Sequence, residues 1–239
     1  MTTHTHQNSV MALRLREMAK AKREFKARGS KVIRCQSCLL PVRACICEDK
    51  PKAFAGSAFC FIMYRGEVYK PSNTGRLVAD IMQDNYAFRW DRTEPDPQLL
   101  ALLQDPKYRP IVIFPHQYAE APRCIHSPSE LDDGDTDKQN LFIMLDGTWR
   151  EAKKMFRSSY LQALPVLGLS PEVKPHYQLR ESVHPFQLCT VEVARLVLDL
   201  NGEAEAASAL GAYFDLFKRH YIAGKPHMVY LENDATSPL

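Results

Sequence analysis

The chain has 239 residues, of which 45% are hydrophobic and 25% charged, and its net charge is +3. Those values suit a soluble globular protein of one large domain, or one domain with a small appendage. No apolar run reaches the length of about eighteen residues that a membrane helix needs. The first residues, "MTTHTHQNSV", lack the basic-then-apolar layout of a secretory signal, so a cytoplasmic protein without membrane attachment is expected.

Residues 1–10 read as a disordered tail. Residues 11–28 read as a basic helix with a sparse apolar stripe of Met11, Leu15 and Met18. Its cations, Arg14, Arg16, Lys20, Lys22, Arg23, Lys26 and Arg28, continue into Lys31 and Arg34 and are opposed only by Glu17 and Glu24. Such a block is either a footprint for a polyanion such as nucleic acid or a solvated helix face. The stretch "RCQSCLLPVRACICE" then places Cys35, Cys38, Cys45 and Cys47 as C-x2-C-x6-C-x-C. Two compact pairs of soft ligands suit a tetrahedral zinc ion, and disulfides across so few residues would be strained. All four positions are filled by protein, so the zinc is structural. Cys60, Cys124 and Cys189 are scattered and read as buried or incidental thiols.

From Ala58 the pattern changes. "AFCFIMY" (58–64), "PIVIFP" (110–115) and "LFIML" (141–145) are continuous apolar runs, the pattern of strands buried on both faces. "YAFRW" (86–90) is a shorter strand, and 164–180 holds short strand or loop pieces. Helices are expected over 72–83, with Leu77, Ile81 and Met82 on one side, and over 96–105, 149–157, 189–200 and 203–224. Residues 119–140, rich in Pro, Asp and Gly, read as a long loop. Strands alternating with helices predict an α/β fold, a doubly wound and mostly parallel sheet with helices on both faces. Ligands of such folds bind at the carboxyl ends of the strands. Three polar segments leave buried strands there: "YRGEVYKPSNTG", "FPHQY" and "DGTW". They are expected to converge on one crevice.

Each segment has a plain structural reading beside a functional one. Ser72, Asn73 and Thr74 can cap a helix, or with Gly75, Lys70 and Arg76 can bind a carboxylate or phosphate. Thr148 and Glu151 match a capping box, and Gly147 suits a tight exit from the strand. Asp146 and Trp149 are not used up by those roles. A carboxylate at a strand end can accept a proton or hold a cation, and an indole can pack inside or wall a pocket for a nucleobase. Farther on, Thr190 reads as another cap and Glu192 suits the first helical turn. Arg180 can grip an anion.

With these residues in hand, the sequence resembles the DTW-domain family, most of all its bacterial tRNA-uridine aminocarboxypropyltransferases. The resemblance rests on the cysteine pattern, "KPSNTGRL", "FP" at 114–115, "LDGTW" at 145–149 and "CTVEVA" at 189–194, in that order, and covers roughly residues 34–220. It implies a SPOUT-like fold and leaves open a trefoil knot in the C-terminal half. The domains it implies are a basic N-terminal segment (1–33), a zinc knuckle (34–50), a catalytic domain (51–228) and a C-terminal tail (229–239). It implies transfer of the 3-amino-3-carboxypropyl group of S-adenosylmethionine to N3 of a uridine in the tRNA variable loop, position 47, releasing methylthioadenosine. Asp146, Thr148 and Trp149 become the implied catalytic set, with Asp146 as base. Ser72, Asn73, Thr74, Gly75, Phe114, Pro115, Leu145, Gly147, Arg180 and Thr190 become the implied cofactor-binding set. The basic helix, the knuckle, Arg150, Lys153 and Lys154 become candidates for tRNA phosphate contacts. The rival readings are a SPOUT-type RNA methyltransferase, which uses another carbon of the same sulfonium, and a non-catalytic zinc-dependent RNA-binding module. Oligomeric state is left open, with a monomer favoured.

Overall fold

The computed structural model describes residues 7–21, 32–132, 134–135, 137–169 and 188–224. Its centre is one six-stranded sheet built from β1 (Ala58–Met63), β2 (Asn85–Arg89), β3 (Tyr108–Ile113), β4 (Cys124–Ile125), β5 (Gln139–Asp146) and β6 (Val166–Leu167). The strand order is β2-β1-β5-β3-β6-β4, and every pairing is parallel. A mostly parallel sheet was expected; among the described residues it is wholly so. The three continuous apolar runs became β1, β3 and β5, the middle of the sheet. Every residue of β1 is buried, as a strand covered on both faces requires. The register pairs Met63 with Asp146, so β1 and β5 leave the sheet at the same level.

Period-two alternation sorts the side chains into two core layers. Phe59, Phe61 and Met63 of β1 and Phe142 and Met144 of β5 face one side. There they meet α2 (Gly75–Ile81), α5 (Thr190–Leu200) and α6 (Ala204–Ala223), together with Cys38, Leu40 and Ile46 of the knuckle. Ala58, Cys60, Ile62, Leu141 and Ile143 face the other side, against α3 (Pro97–Gln104) and α4 (Trp149–Phe156). All seven residues of α2 are buried, so it has no solvent face of the kind an amphipathic helix would show. Among the described residues, no helix is long and apolar enough to cross a membrane.

Several expectations need correction. The basic helix α1 runs over Ser9–Lys20, not 11–28: Asn8 caps it, its side chain accepting from Met11 N–H, and extended backbone at Ala21 stops it. Lys22, Arg23, Lys26, Arg28 and Lys31 lie outside the described residues. The buried face of α1 is Val10, Leu13 and Glu17, while Leu15 and Met18 are exposed. The stripe was misread because Glu17 counts as polar in sequence, yet its carboxylate is buried between Lys20 and Arg89. The polar stretch 119–140 is not a plain loop. It folds into two 3-10 turns and contributes the edge strand β4 and the start of β5.

The sheet centre carries the stability. Phe142→Ala empties a fully buried site on β5 and is expected to cost about 3–5 kcal/mol. Leu200→Ala, at an exposed position, should stay within about 0.5 kcal/mol of the parent. Chemical denaturation of both variants checks the pair.

Candidate active site and metal centre

The chain leaves β5 through Asp146, Gly147 and Thr148. The Glu151 carboxylate accepts from the Thr148 N–H at 2.8 Å and from its hydroxyl at 2.7 Å, which makes the expected capping box of α4. Space is tight at Gly147: a Cβ there would meet Tyr64 Cβ at 3.2 Å and Glu151 Cβ at 3.1 Å. The two strand exits are stitched together, since the Tyr64 N–H donates to the Asp146 carbonyl at 2.8 Å.

Asp146 is 8% exposed. Its side chain lies on the α2 side of the sheet, where Asn73 Nδ2 donates to Asp146 Oδ2 at 2.7 Å. Asn73 therefore does not cap α2. Thr74 stands at the cap position without a capping side-chain bond. A Cβ on Gly75 would lie 3.1 Å from Asp146 Oδ2 and 3.3 Å from Asn73 Oδ1, so glycine here allows a close approach of backbone and carboxylate. The start of α5 adjoins the same place through contact between the Thr74 and Cys189 side chains. Its cap is Cys189, not Thr190: the Glu192 carboxylate accepts from Cys189 N–H at 2.8 Å, and Thr190 is the first helical residue. Burial pushes the Cys189 thiol up, with Glu192 adding to it.

The donor set can be tested against the implied sulfonium ligand. Buried Asn73 Oδ1 and Glu192 Oε1 have no hydrogen-bond partner among the described residues. Among the described residues, these two oxygens and the Asp146 carboxylate are acceptors. They fit a cationic or N–H-bearing group, such as an ammonium beside a sulfonium.

The third segment goes elsewhere. Phe114 stacks on Trp149 at 5.4 Å between centroids and on Phe156 at 4.3 Å, and Tyr118 meets Trp149 edge-on at 5.5 Å. These rings belong to the α3/α4 side of the sheet, with half-buried Leu145 against the same layer. Pro115 leads into the 3-10 turn His116–Tyr118. The expected single crevice is therefore two constellations on opposite faces of the β5 exit, because Asp146 follows the alternation of Met144 while Trp149 starts a helix on the far side. Arg180 lies outside the described residues. The segment "FPHQY" was singled out in sequence, but not the role of His116, whose Nε2 accepts from Gly168 N–H at 2.8 Å and so ties the β3 exit to the β6 exit. Nor did sequence show the packing of Tyr118 on Trp149 or the pairing role of Asn73. Asparagine within "KPSNTG" was the one available signal for the last.

The four knuckle cysteines converge. The Cys35 and Cys47 sulfurs are 3.6 Å apart, Cys38 and Cys45 are 3.7 Å apart, and all four lie within 4.8 Å of one another. Four sulfurs at zinc–thiolate distance on a tetrahedron are about 3.8 Å apart, so the set fits such an ion with little movement. Burial raises Cys38 and lifts Cys47 to about 12. At Cys35 burial is outweighed by hydrogen bonds from backbone N–H groups of Cys38 and Ser37, which bring it to about 6. Zinc binds cysteine as thiolate, so binding an ion here would release protons.

A model of the DTW domain matches residues 32–222. No solved structure matches the chain.

Two outcomes test this geometry. Purified protein should carry one zinc per chain by elemental analysis, and Cys38→Ser should lose it and melt several degrees lower. Gly75→Ala should cost about 1–3 kcal/mol by overpacking, seen as a lower midpoint in urea with an unchanged slope.

Proposed function

The chain belongs to the DTW-domain family, and from that premise we propose that it is a tRNA-modifying transferase that moves the 3-amino-3-carboxypropyl group of S-adenosylmethionine to N3 of a uridine in the tRNA variable loop. The observation that carries this reading is the 2.7 Å bond from Asn73 to Asp146. It joins "KPSNTG" and "LDGTW" at the carboxyl ends of neighbouring parallel strands, where α/β folds bind ligands.

The sulfonium co-substrate supplies an electrophilic carbon and leaves as a neutral thioether, so no acid is needed. Uridine N3 is a poor nucleophile until its proton is removed, and Asp146 takes that proton. The N3–carbon bond forms as the carbon–sulfur bond breaks, releasing methylthioadenosine. Asn73 orients the Asp146 carboxylate, and the acceptor atoms around Gly75 favour the cationic end of the co-substrate. Thr148 and Gly147 shape the turn, and positioning supplies most of the acceleration.

tRNA is expected to lie across the strand ends. Arg150, Lys153, Lys154 and Arg157 of α4 and its cap form no ion pair among the described residues. Lys153 lies 5.8 Å from the Trp149 ring and 5.7 Å from that of Tyr118. Cations beside aromatic rings suit a nucleotide chain. On the other flank, a groove of about 490 Å³ carries Lys20, Arg65 and Arg89 between α1 and the β1 exit. The knuckle (34–50) and the catalytic domain (51–228) serve as one RNA-facing unit.

Incubation with unmodified tRNA and S-adenosylmethionine, followed by nucleoside mass analysis, should show the aminocarboxypropyl increment on uridine. A methyl increment instead would make the chain a methyltransferase, and tRNA binding without any co-substrate binding would make it a binding module. Asp146→Ala should abolish transfer while the fold and tRNA binding persist. Lys153→Ala should weaken tRNA binding about equally across tRNA sequences and reduce the salt slope by about 1.

A further inference from the structure

Arg76 is the largest of the fully buried side chains, at 1% exposure, yet its Nε, Nη1 and Nη2 have no hydrogen-bond partner among the described residues. A guanidinium carries five N–H donors and stays charged, so burying it without acceptors or a counter-charge is strongly unfavourable. The face of Phe217 on α6 lies 4.9 Å from it, which supplies only part of what is missing. Asp80, one turn along α2, is the nearest acid by its effect on Arg76, but its oxygens are engaged. Asp80 Oδ1 accepts from Lys50 at 2.6 Å and from Asn8 at 2.8 Å, and Oδ2 accepts from Tyr213 at 3.1 Å. Lys50 and Arg76 against Asp80 leave one positive charge over, and Arg14 adds its own repulsion.

The knuckle is the neighbouring group able to bring negative charge to this layer: Cys38 belongs to the same buried cluster as Phe217, whose ring faces Arg76. Burial depresses Arg76 below its ordinary value, and the groups that oppose this are Asp80, Tyr213, Cys38 and Cys47. The elements that hold Arg76 also hold the knuckle. Lys50, just after Cys47, binds Asp80 of α2. His220, three residues beyond Phe217 on α6, lies 3.1 Å through Nδ1 from the carbonyl of Ala44, beside Cys45. The ring of Pro41 fills the space a Cβ on Gly224 would need, at 2.8 Å. A divalent ion held by four thiolates carries two negative charges, and its sulfurs accept hydrogen bonds.

We propose that Arg76 is the buried counter-cation of a zinc tetrathiolate formed by Cys35, Cys38, Cys45 and Cys47, and that this pair holds α2, and with it the Asn73–Asp146 contact, in place. Arg76 is a positioning residue and touches no reacting atom. It directly follows Gly75, so what fixes Arg76 also fixes the backbone that crowds Asp146. This inference does not rest on the transferase reading.

The test compares the parent with Arg76→Met, in which the charge and donors go and the volume nearly stays. Competition with a chromophoric chelator should show zinc affinity falling about 10–100-fold, the usual effect of losing an outer-sphere partner. Stripping zinc should lower the melting temperature of the parent more than that of Arg76→Met, because only the stripped parent keeps an uncompensated buried charge. Arg76→Lys, which keeps the charge, should hold zinc more tightly than Arg76→Met. Unchanged zinc affinity in Arg76→Met, or equal losses on stripping, would overturn the proposal. Should the variants not fold, hydrogen exchange on the parent decides. Chelation should expose the amides of α2 while those of α3, on the opposite face, keep their protection. Unchanged protection of α2 sinks the idea.

Discussion

The hydrogen bond from Asn73 to Asp146 is the constraint on which the candidate site depends. It spans 73 positions of sequence and is possible because β1 and β5 are parallel neighbours in the register Met63↔Asp146. Parallel pairing puts both exits at one edge of the sheet, and the Tyr64–Asp146 backbone bond fixes their separation. Once the carboxylate is held there, the small residues around it follow. Gly75 and Gly147 stand where a Cβ would press on Asp146, Asn73, Tyr64 or Glu151. Neither glycine has a left-handed backbone, so closeness of packing selects them rather than conformational freedom.

The same strand that presents Asp146 also keeps it apart from Trp149. Along β5 the side chains alternate between the two core layers, and Asp146 falls on the layer of Met144 and Phe142. Three residues later the chain is a helix on the other face, and Trp149 joins Phe114 and Phe156. The result is one turn with two chemistries: a buried carboxylate beside an amide on one side, stacked rings beside the α4 cations on the other. A substrate that needs both a proton acceptor and a base-stacking surface has to reach around the β5 exit.

What was legible in the sequence was what is local. The three apolar runs announced the central strands because burial on both faces leaves no room for alternation. Thr148 and Glu151 announced a helix start because a capping box is satisfied within four residues. The cysteine spacing announced its own convergence. Failures came where distant residues decide. The face of α1 turned on the burial of Glu17 between Lys20 and Arg89 of β2. Asn73 looked like a cap because its true partner is 73 residues away. Thr190 looked like a cap because threonine usually is one, whereas Glu192 sits three residues after Cys189 and closes the box there. Arg76 looked like a ligand-binding cation at the mouth of a site, and it is buried on the inner side of α2.

The knuckle is best understood as part of the core rather than as an appendage. Cys38, Leu40 and Ile46 are fully buried within the same apolar layer as Phe61 and Phe217. A seventeen-residue segment (34–50) with an isolated antiparallel bridge, Arg34 to Pro41, has too little secondary structure to hold that position by itself. Four thiols drawn within 4.8 Å give it a rigid centre once they bind an ion. A charged metal centre set against an apolar layer, however, needs a neighbour of opposite charge. Arg76, Lys50 and Asp80 stand at that boundary with a positive excess, on the helix that opens beside Asp146. The charge balance of the knuckle and the geometry of the candidate active site are thus set by adjacent residues, Arg76 and Gly75, at the start of α2.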